Sequence, residues 1–297
     1  MEDNTKILME VGAASYKALK YAKGILKPGI SATNFALKVE SYIREEGYKP
    51  AFPINISVNN EAAHYTAGFE DDRVFTENDI IKIDTGCYKD GLSGDCALSV
   101  DLSGKYQNLI DGSQKALEAA LSIVRDGVKT SHIGRVIAKE LSKYNAHPVI
   151  NLGGHGLEED NLHSGSFIPN YDDGSLDILH EGDVVSIEPF STNGRGYVAD
   201  SNRCEIYSYI NSVKPRSPYA RHLLDIISQD FNATPFAARW LVENATTKFA
   251  LYSSLNELVK AGAIVAHPVL IETSGGIVAQ SEVTLIVEKD SCSVITK

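Results

Sequence analysis

The chain is poor in the residues that staple, anchor or export a protein. Its 297 residues hold four cysteines, Cys87, Cys96, Cys204 and Cys292, with no CxxC pair and no dense framework. That excludes a disulfide scaffold and suits free thiols in a reducing cytoplasm. No apolar run is long enough to span a bilayer. The opening residues, Met1-Glu2-Asp3-Asn4, are acidic and polar with no apolar stretch behind them, so no secretory signal is expected. Asn-x-Ser/Thr matches at Asn55, Asn232 and Asn244 therefore carry no meaning. Positive charge is scarce too. A balance of 28 Lys and Arg against 39 Asp and Glu leaves a net charge of −11. This argues against a general nucleic-acid binder and against an anionic membrane surface.

What is present is ordinary for a globular chain: 43% apolar and 23% charged residues, enough for a large core. Helical spacing covers residues 5–23, closed by Lys27-Pro28-Gly29, and a second helix begins at a Ser31 cap and stops at Gly47. A strand is expected over Ala51–Val58, and the polar stretch Asn59–Tyr65 includes His64. After Gly104 helices are expected over about 105–125 and, capped by Thr130 or Ser131, through Leu141. A strand at Val149–Leu152, a Gly/His-rich loop and a strand at Val184–Glu188 follow.

Between these blocks, Asn78–Val100 reads as a β-hairpin turned at Asp90-Gly91. In that hairpin Asp84 and Asp95 point to one face, directly or diagonally opposite. Alone, the pair reads as an exposed Asp and a turn Asp.

Repeats change that reading. ILKPGIS from Ile25 lies over IVRDGVK from Ile123, and TENDIIKIDTG from Thr76 over HEGDVVSIEPF from His180. SGDCALSV from Ser93 lies over QSEVTLIV from Gln280. The matches superpose Asp84 on Glu188, Asp95 on Glu282 and, with one residue of slack, His64 on His163. A period near 100 residues is too long for a solenoid. It indicates a duplicated helix-helix-strands unit closing on one central site. Helical spacing at 218–230, 234–243 and 247–261, then short β segments at 263–266 and 269–272, form an insertion of about 210–270 with a winged-helix-like order. Its basic residues are scattered among acids, so DNA binding is not indicated. The whole of 1–297 reads as one α+β catalytic domain carrying this helical insertion.

Four carboxylates in one pocket are intolerable without cations. Two divalent metals sharing two of the carboxylates would neutralise them and activate a water held between. An imidazole ligand would make a mixed N/O site suited to Mn, Fe, Co or Zn rather than Mg or Ca. Gly153–Gly165 offers His155 and His163, one for metal and the other for substrate. His64 adds a third polar group at the cleft. His132, His147, His180 and His222 read as structural or solvated.

FPINISVNNEAAHYT from Phe52, KIDTGCYKDGLSGDCAL from Lys82, GGHGLEEDNLHSG from Gly153, SIEPFSTNGRG from Ser186 and AQSEVTLIV from Ala279 together resemble type II methionine aminopeptidases. The long stretch before Glu282 is the type II mark; the absence of a charged extension is similar to archaeal forms. The resemblance implies the duplicated pita-bread fold and two divalent ions on Asp84, Asp95, His155, Glu188 and Glu282, with Asp95 and Glu282 as bridges. It implies that His64 and His163 flank the scissile amide, that Glu188 shuttles the proton, and that Phe52, His163 and His267 border the methionine pocket. His267 departs from the aromatic expected there. The implied activity is removal of N-terminal methionine from nascent polypeptides, including at the ribosome, by a cytoplasmic monomer with no nucleic-acid or membrane partner. A ligand-less binding module and a proline-directed peptidase of the same fold are the alternatives; retention of all five ligands and the immediate entry into the first helix weigh against them.

Overall fold

In a computed structural model, which describes residues 2–244 and 247–297, the two repeats are two packed halves. Met1 and the end of the Asn244-Ala245-Thr246 match lie outside the described residues. The first half holds α1 (Glu2–Ile25), α2 (Ala32–Glu45), β1 (Lys49–Pro50), β2 (Asn55–Val58), β3 (Glu61–Ala63), β4 (Ile80–Lys89) and β5 (Leu92–Asp101). The second repeats the order with α3 (Gln107–Leu121), α4 (Thr130–Ser142), β6 (His147–Pro148), β7 (Gly153–Glu158), β8 (Asn161–Pro169), β9 (Val184–Ile187) and β10 (Phe190–Thr192). β11 (Val198–Tyr209) leads through α5 (Pro218–Asp230), β12 (Phe236–Ala237), a 3-10 helix (Ala238–Asn244) and α6 (Lys248–Lys260) to β13 (Ile264–Glu272). β14 (Val278–Gln280), β15 (Glu282–Val287) and β16 (Cys292–Val294) complete the chain.

Among the described residues one sheet runs β1-β4-β5-β15-β9-β7-β8, with β2 also on β4 and β16 also on β15. Its midline is the antiparallel pair β5 and β15, where Glu282 faces Ala97 and Val283 faces Cys96. β4 and β9 flank that pair, so each half contributes corresponding strands to the centre. The helices of each half bury their apolar stripes on their own strands. Phe35, Val39 and Ile43 pack with Ile56, Ile81 and Ile83. Leu109, Ile133, Ile137 and Leu141 pack with Ile168, Val185 and Leu285. Each such buried side chain contributes about 1.5–3 kcal/mol.

Local chemistry fixes the ends. The Ser31 side chain accepts from the Asn34 N–H, capping α2. Asp90 and Gly91 both take positive φ, 50° and 86°, the pattern of a type I′ turn, with Lys89 opposite Leu92. α4 is capped otherwise than expected. Thr130 and Ser131 are its first helical residues; Lys129 is the cap and makes no side-chain bond, while Ser131 Oγ donates to the Ser175 carbonyl at 2.7 Å.

The expected strand at 149–152 is a turn, and the expected Gly/His-rich loop is the β7–β8 hairpin. Glycines read as loop because they weaken strands. Here the missing side chain lets β7 approach β9, since a Cβ on Gly154 would lie 2.0 Å from the Ser186 carbonyl oxygen. The 234–243 helix is β12 plus the 3-10 helix, because Phe236 and Ala237 pair with β11. The two β segments around His267 are the single strand β13, whose register against β11 shifts beside Pro268.

α5, the 3-10 helix and α6 share their own core of Leu223, Phe236, Leu241 and Leu255. Glu40 of α2 fastens this insertion to the first half. It is fully buried, accepts from the Arg239 guanidinium, and accepts from Trp240 Nε1 at 2.8 Å. No helix among the described residues is long and apolar enough to cross a membrane.

Candidate metal centre

The midline of the sheet brings the carboxylates together. Asp84 faces Ala97 and Asp95 faces Gly86, so the two acids are diagonal neighbours on one face. Glu282, opposite Ala97 at the head of β15, joins them, and Glu188 follows directly from β9. His155 comes from the glycine-built β7. Ligand atoms of Asp84, Glu188 and Glu282 lie within 4.8 Å of one another, as do those of Asp95, His155 and Glu282. Glu282 belongs to both triads, whereas Asp95 joins only the one with His155. His155 Nε2 is 3.7 Å from Asp95 Oδ2 and 4.0 Å from Glu282 Oε1.

Every site residue picked from the sequence lines one cavity of about 400 Å³: Phe52, His64, Asp84, Asp95, His155, His163, Glu188, His267 and Glu282. The four histidines set aside as solvated are exposed.

Without a cation the pocket relieves its charge by holding protons. Burial pushes the Asp84 carboxyl up to about 7. Burial, then the neighbouring acids, raises Asp95, Glu188 and Glu282 well above the ordinary carboxylate range. Asp84 and Asp95 are close enough to share a hydrogen bond, as are Glu188 and Glu282. Asp84 Oδ1, Asp95 Oδ1 and Glu282 Oε2 are buried with no hydrogen-bond partner. Orphaned acceptors converging on one point call for cations.

The imidazole is prepared in the same sense. His155 Nδ1 lies 3.1 Å from the Gly156 carbonyl. Only an N–H can bond there, which leaves the Nε2 lone pair toward Asp95 and Glu282. These residues fit a pair of divalent cations.

The other cavity histidines, His64, His163 and His267, are all pushed down by burial, toward the neutral form. Burial, then His267, pushes His64 down to about 4. His64 takes a positive φ of 65°, a strained conformation held by its surroundings. Its Nδ1 meets the Pro268 carbonyl at 3.2 Å. His163 is pushed down to about 3, by its crowded wall first and then by His155, His64 and His267. Its ring faces the open cleft, so water reaches it despite the concave surroundings. The rings of His155 and His163 are 4.2 Å apart, and His267 Nε2 is 2.8 Å from Ser208 Oγ.

Sequence reasoning missed three supporting residues. Gln280 Nε2 donates to Glu188 Oε1 at 2.6 Å, and Ser186 Oγ donates to Glu282. Both lie inside motifs already quoted, each two residues from a carboxylate. Lys82 also opens a quoted motif, two residues before Asp84, but strand lysines are usually solvated, so its burial was not expected. It is fully buried, donates to the Asn59 and Val278 carbonyls at 2.9 Å, and is pushed down to about 7 by burial.

Residues 6–214 match the family model described as metallopeptidase family M24. The chain belongs to this family. As an M24 chain it is 41% identical to a methionine aminopeptidase of Pyrococcus horikoshii over 291 residues, 98% of each protein. A methionine aminopeptidase of Methanothermobacter thermautotrophicus is 40% identical over 292 residues, 97% of each. Among solved structures the M24 chain resembles a thermophilic Arx1, with TM-score 0.83 and 16% identity over 97% of this chain and 90% of that one. The methionine aminopeptidase of Rickettsia prowazekii gives TM-score 0.72 and 20% identity, covering 100% and 98%. At these identities the structural likeness shows the fold alone, which is the pita-bread fold of M24. A metallopeptidase of this family uses divalent metal ions, and the two triads are where this one can hold them.

Proposed function

We infer that the protein is a type II methionine aminopeptidase, a metal-dependent exopeptidase that removes methionine from the N-termini of newly made chains. Full-length identity near 40% to archaeal methionine aminopeptidases supports this. The observation that carries it is the convergence of five acid and imidazole ligands, three with orphaned acceptors, on one cavity.

In this reading Asp84, Asp95, His155, Glu188 and Glu282 would hold two divalent ions drawn from Co, Mn, Fe or Zn. Bound there, such ions supply a polarised carbonyl and a water acidic enough to act near neutral pH. The chain's own groups do the positioning. His64, neutral and donating through Nδ1–H to Pro268, presents Nε2 as an acceptor for the scissile amide N–H. His163, neutral at the cleft face, donates to the carbonyl oxygen as charge develops. Glu188 carries the proton to the leaving amine. Phe52, Leu162, Ile206 and His267 border the pocket for the first side chain. The polar pair Ser208–His267 stands where an aromatic was expected.

We further read residues 1–297 as one catalytic domain, its insertion of about 210–270 bordering the cleft. Pro235 and His267 on the cavity wall support that reading. Free cysteines suit a cytoplasmic monomer acting on chains as they leave the ribosome.

The test is release of Met from Met-Ala-type peptides with and without chelator, beside a Xaa-Pro dipeptide. Chelator-sensitive Met release is expected. Chelator-insensitive release, or cleavage of Xaa-Pro in preference, would overturn the assignment.

A further inference from the structure

A polar pair stands among the apolar walls, Phe52, Leu162 and Ile206, of the pocket read above for the first side chain. Ile206 faces His267 across β11 and β13, and Ser208 lies two residues beyond Ile206, so the three side chains share one face of the sheet. Tyr207 and Ala266, one step out of phase, pack instead into the core of the insertion. Ser208 Oγ and His267 Nε2 are 2.8 Å apart. Among the described residues neither the hydroxyl nor the ring's Nδ1 has a further hydrogen-bond partner, and Nδ1 is not sealed from solvent. There is also space beside the pair. Leu162, His163, Ser208 and Pro235 line a second cavity of about 170 Å³ as well as the first, so the two adjoin there.

A neutral imidazole carries one N–H and one lone pair. Burial holds His267 toward that neutral form. When the Ser208 hydroxyl donates to Nε2, the ring proton sits on Nδ1 and is offered to the pocket. A thioether sulfur accepts hydrogen bonds only weakly, so methionine leaves this donor nearly unused. A sulfoxide places a strong acceptor oxygen on the same atom of the same unbranched chain. An aromatic ring at position 267 would give that oxygen no partner. We propose that the Ser208–His267 pair selects for a first residue whose unbranched side chain ends in a hydrogen-bond acceptor, so that the enzyme removes N-terminal methionine sulfoxide as well as methionine. The bond hydrolysed is the same first peptide bond, and the sulfoxide leaves unchanged.

The inference rests on the methionine aminopeptidase reading, so the experiment separates the two. Mn²⁺-loaded protein is assayed on three peptides that differ only in the first residue: methionine, its apolar isostere norleucine, or methionine sulfoxide, each followed by Ala-Ser. In wild type, kcat/KM for the sulfoxide should lie within about tenfold of that for norleucine. In His267→Phe the sulfoxide-to-norleucine ratio should fall by roughly 10–100-fold. Both rates come from one sample, so a partly folded variant still gives the ratio. Ser208→Ala, which lets the ring proton return to Nε2, should lower the ratio by a smaller factor and serves if His267→Phe is inactive. A second readout is the imidazole ¹⁵N spectrum of zinc-loaded protein. Free methionine sulfoxide should shift His267 to the Nδ1–H tautomer, and norleucine should not. A ratio unchanged in the variants, a wild type that cleaves the norleucine peptide but not the sulfoxide, or a His267 tautomer that the sulfoxide does not move, would overturn the proposal. Failure to cleave the methionine and norleucine peptides would overturn the methionine aminopeptidase reading and this inference with it.

Discussion

Glu282→Gln should raise the stability of the metal-free protein and abolish the stability gained from metal. Glu282 lies in both triads, within 4.8 Å of the ligand atoms of Asp84 and Glu188 on one side and Asp95 on the other. Two ionised carboxylates at that separation repel by about 3.5 kcal/mol at an effective dielectric constant of about 20. The folded chain reduces this by keeping protons. Asp84, raised from 3.8 to about 7, binds a proton in the folded state that the unfolded chain releases between those values. Stability therefore falls as pH rises through that window, by at most about 4 kcal/mol for this group. Glutamine removes one of the charges, retains an acceptor oxygen for Ser186 Oγ and leaves the volume unchanged. The expected gain in chelator is about 1–3 kcal/mol near pH 8, shrinking toward pH 5, or roughly 2–5 °C in Tm. With metal at a hundredfold excess over Kd, wild type gains about 2.7 kcal/mol per site and the variant much less. Thermal and urea unfolding between about pH 5 and 8, with chelator and with Mn²⁺, reads both effects. A variant less stable than wild type in chelator, or one that keeps the full metal-dependent gain, would refute the reasoning.

Glu40→Ala strands the Arg239 guanidinium beside a lost carboxylate and should cost about 3–5 kcal/mol in urea unfolding, with Glu40→Gln costing less because it can still meet Trp240 Nε1. Gly154→Ala drives a methyl group into the Ser186 carbonyl, so β7 must shift; unfolding should show a loss of about 1–3 kcal/mol, and metal titration a loss of roughly tenfold or more through the displaced His155. In His163→Ala, kcat should fall roughly 10²–10³-fold while metal stoichiometry stays at the wild-type value, a split read by steady-state kinetics beside calorimetry.

The duplicated architecture was legible because its signals are short-range. Asp90-Gly91 dictates a turn, the turn dictates the register, and the register places Asp84 and Asp95 diagonally on one face. Internal repeats then located Glu188 and Glu282 without any contact being known. What failed to show had a long-range cause. β7 hides because glycine lowers strand propensity, while the reason for glycine there is the Ser186 carbonyl on β9, about thirty residues on. β12 hides because two residues are too few to show a period. Lys82 is buried by strands from both ends of the chain, so nothing near it in sequence betrays its burial.

The midline pair β5 and β15 also orders the events of synthesis. During translation α1 through β5, and then α3 through β10, can each bury their own cores while residue 282 has yet to be added. The inner edges of β5 and β9 stay unpaired over that interval, and open edges of this kind are where strands mispair. Cys96 and Val283 meet across most of the chain's length, a contact that closes late. A nascent chain that has reached only β13 already carries Asp84, Asp95, His155 and Glu188, yet lacks both Glu282 and the strand that aligns the two halves. The metal centre is thus one of the last features to form, and its assembly marks the joining of the two halves.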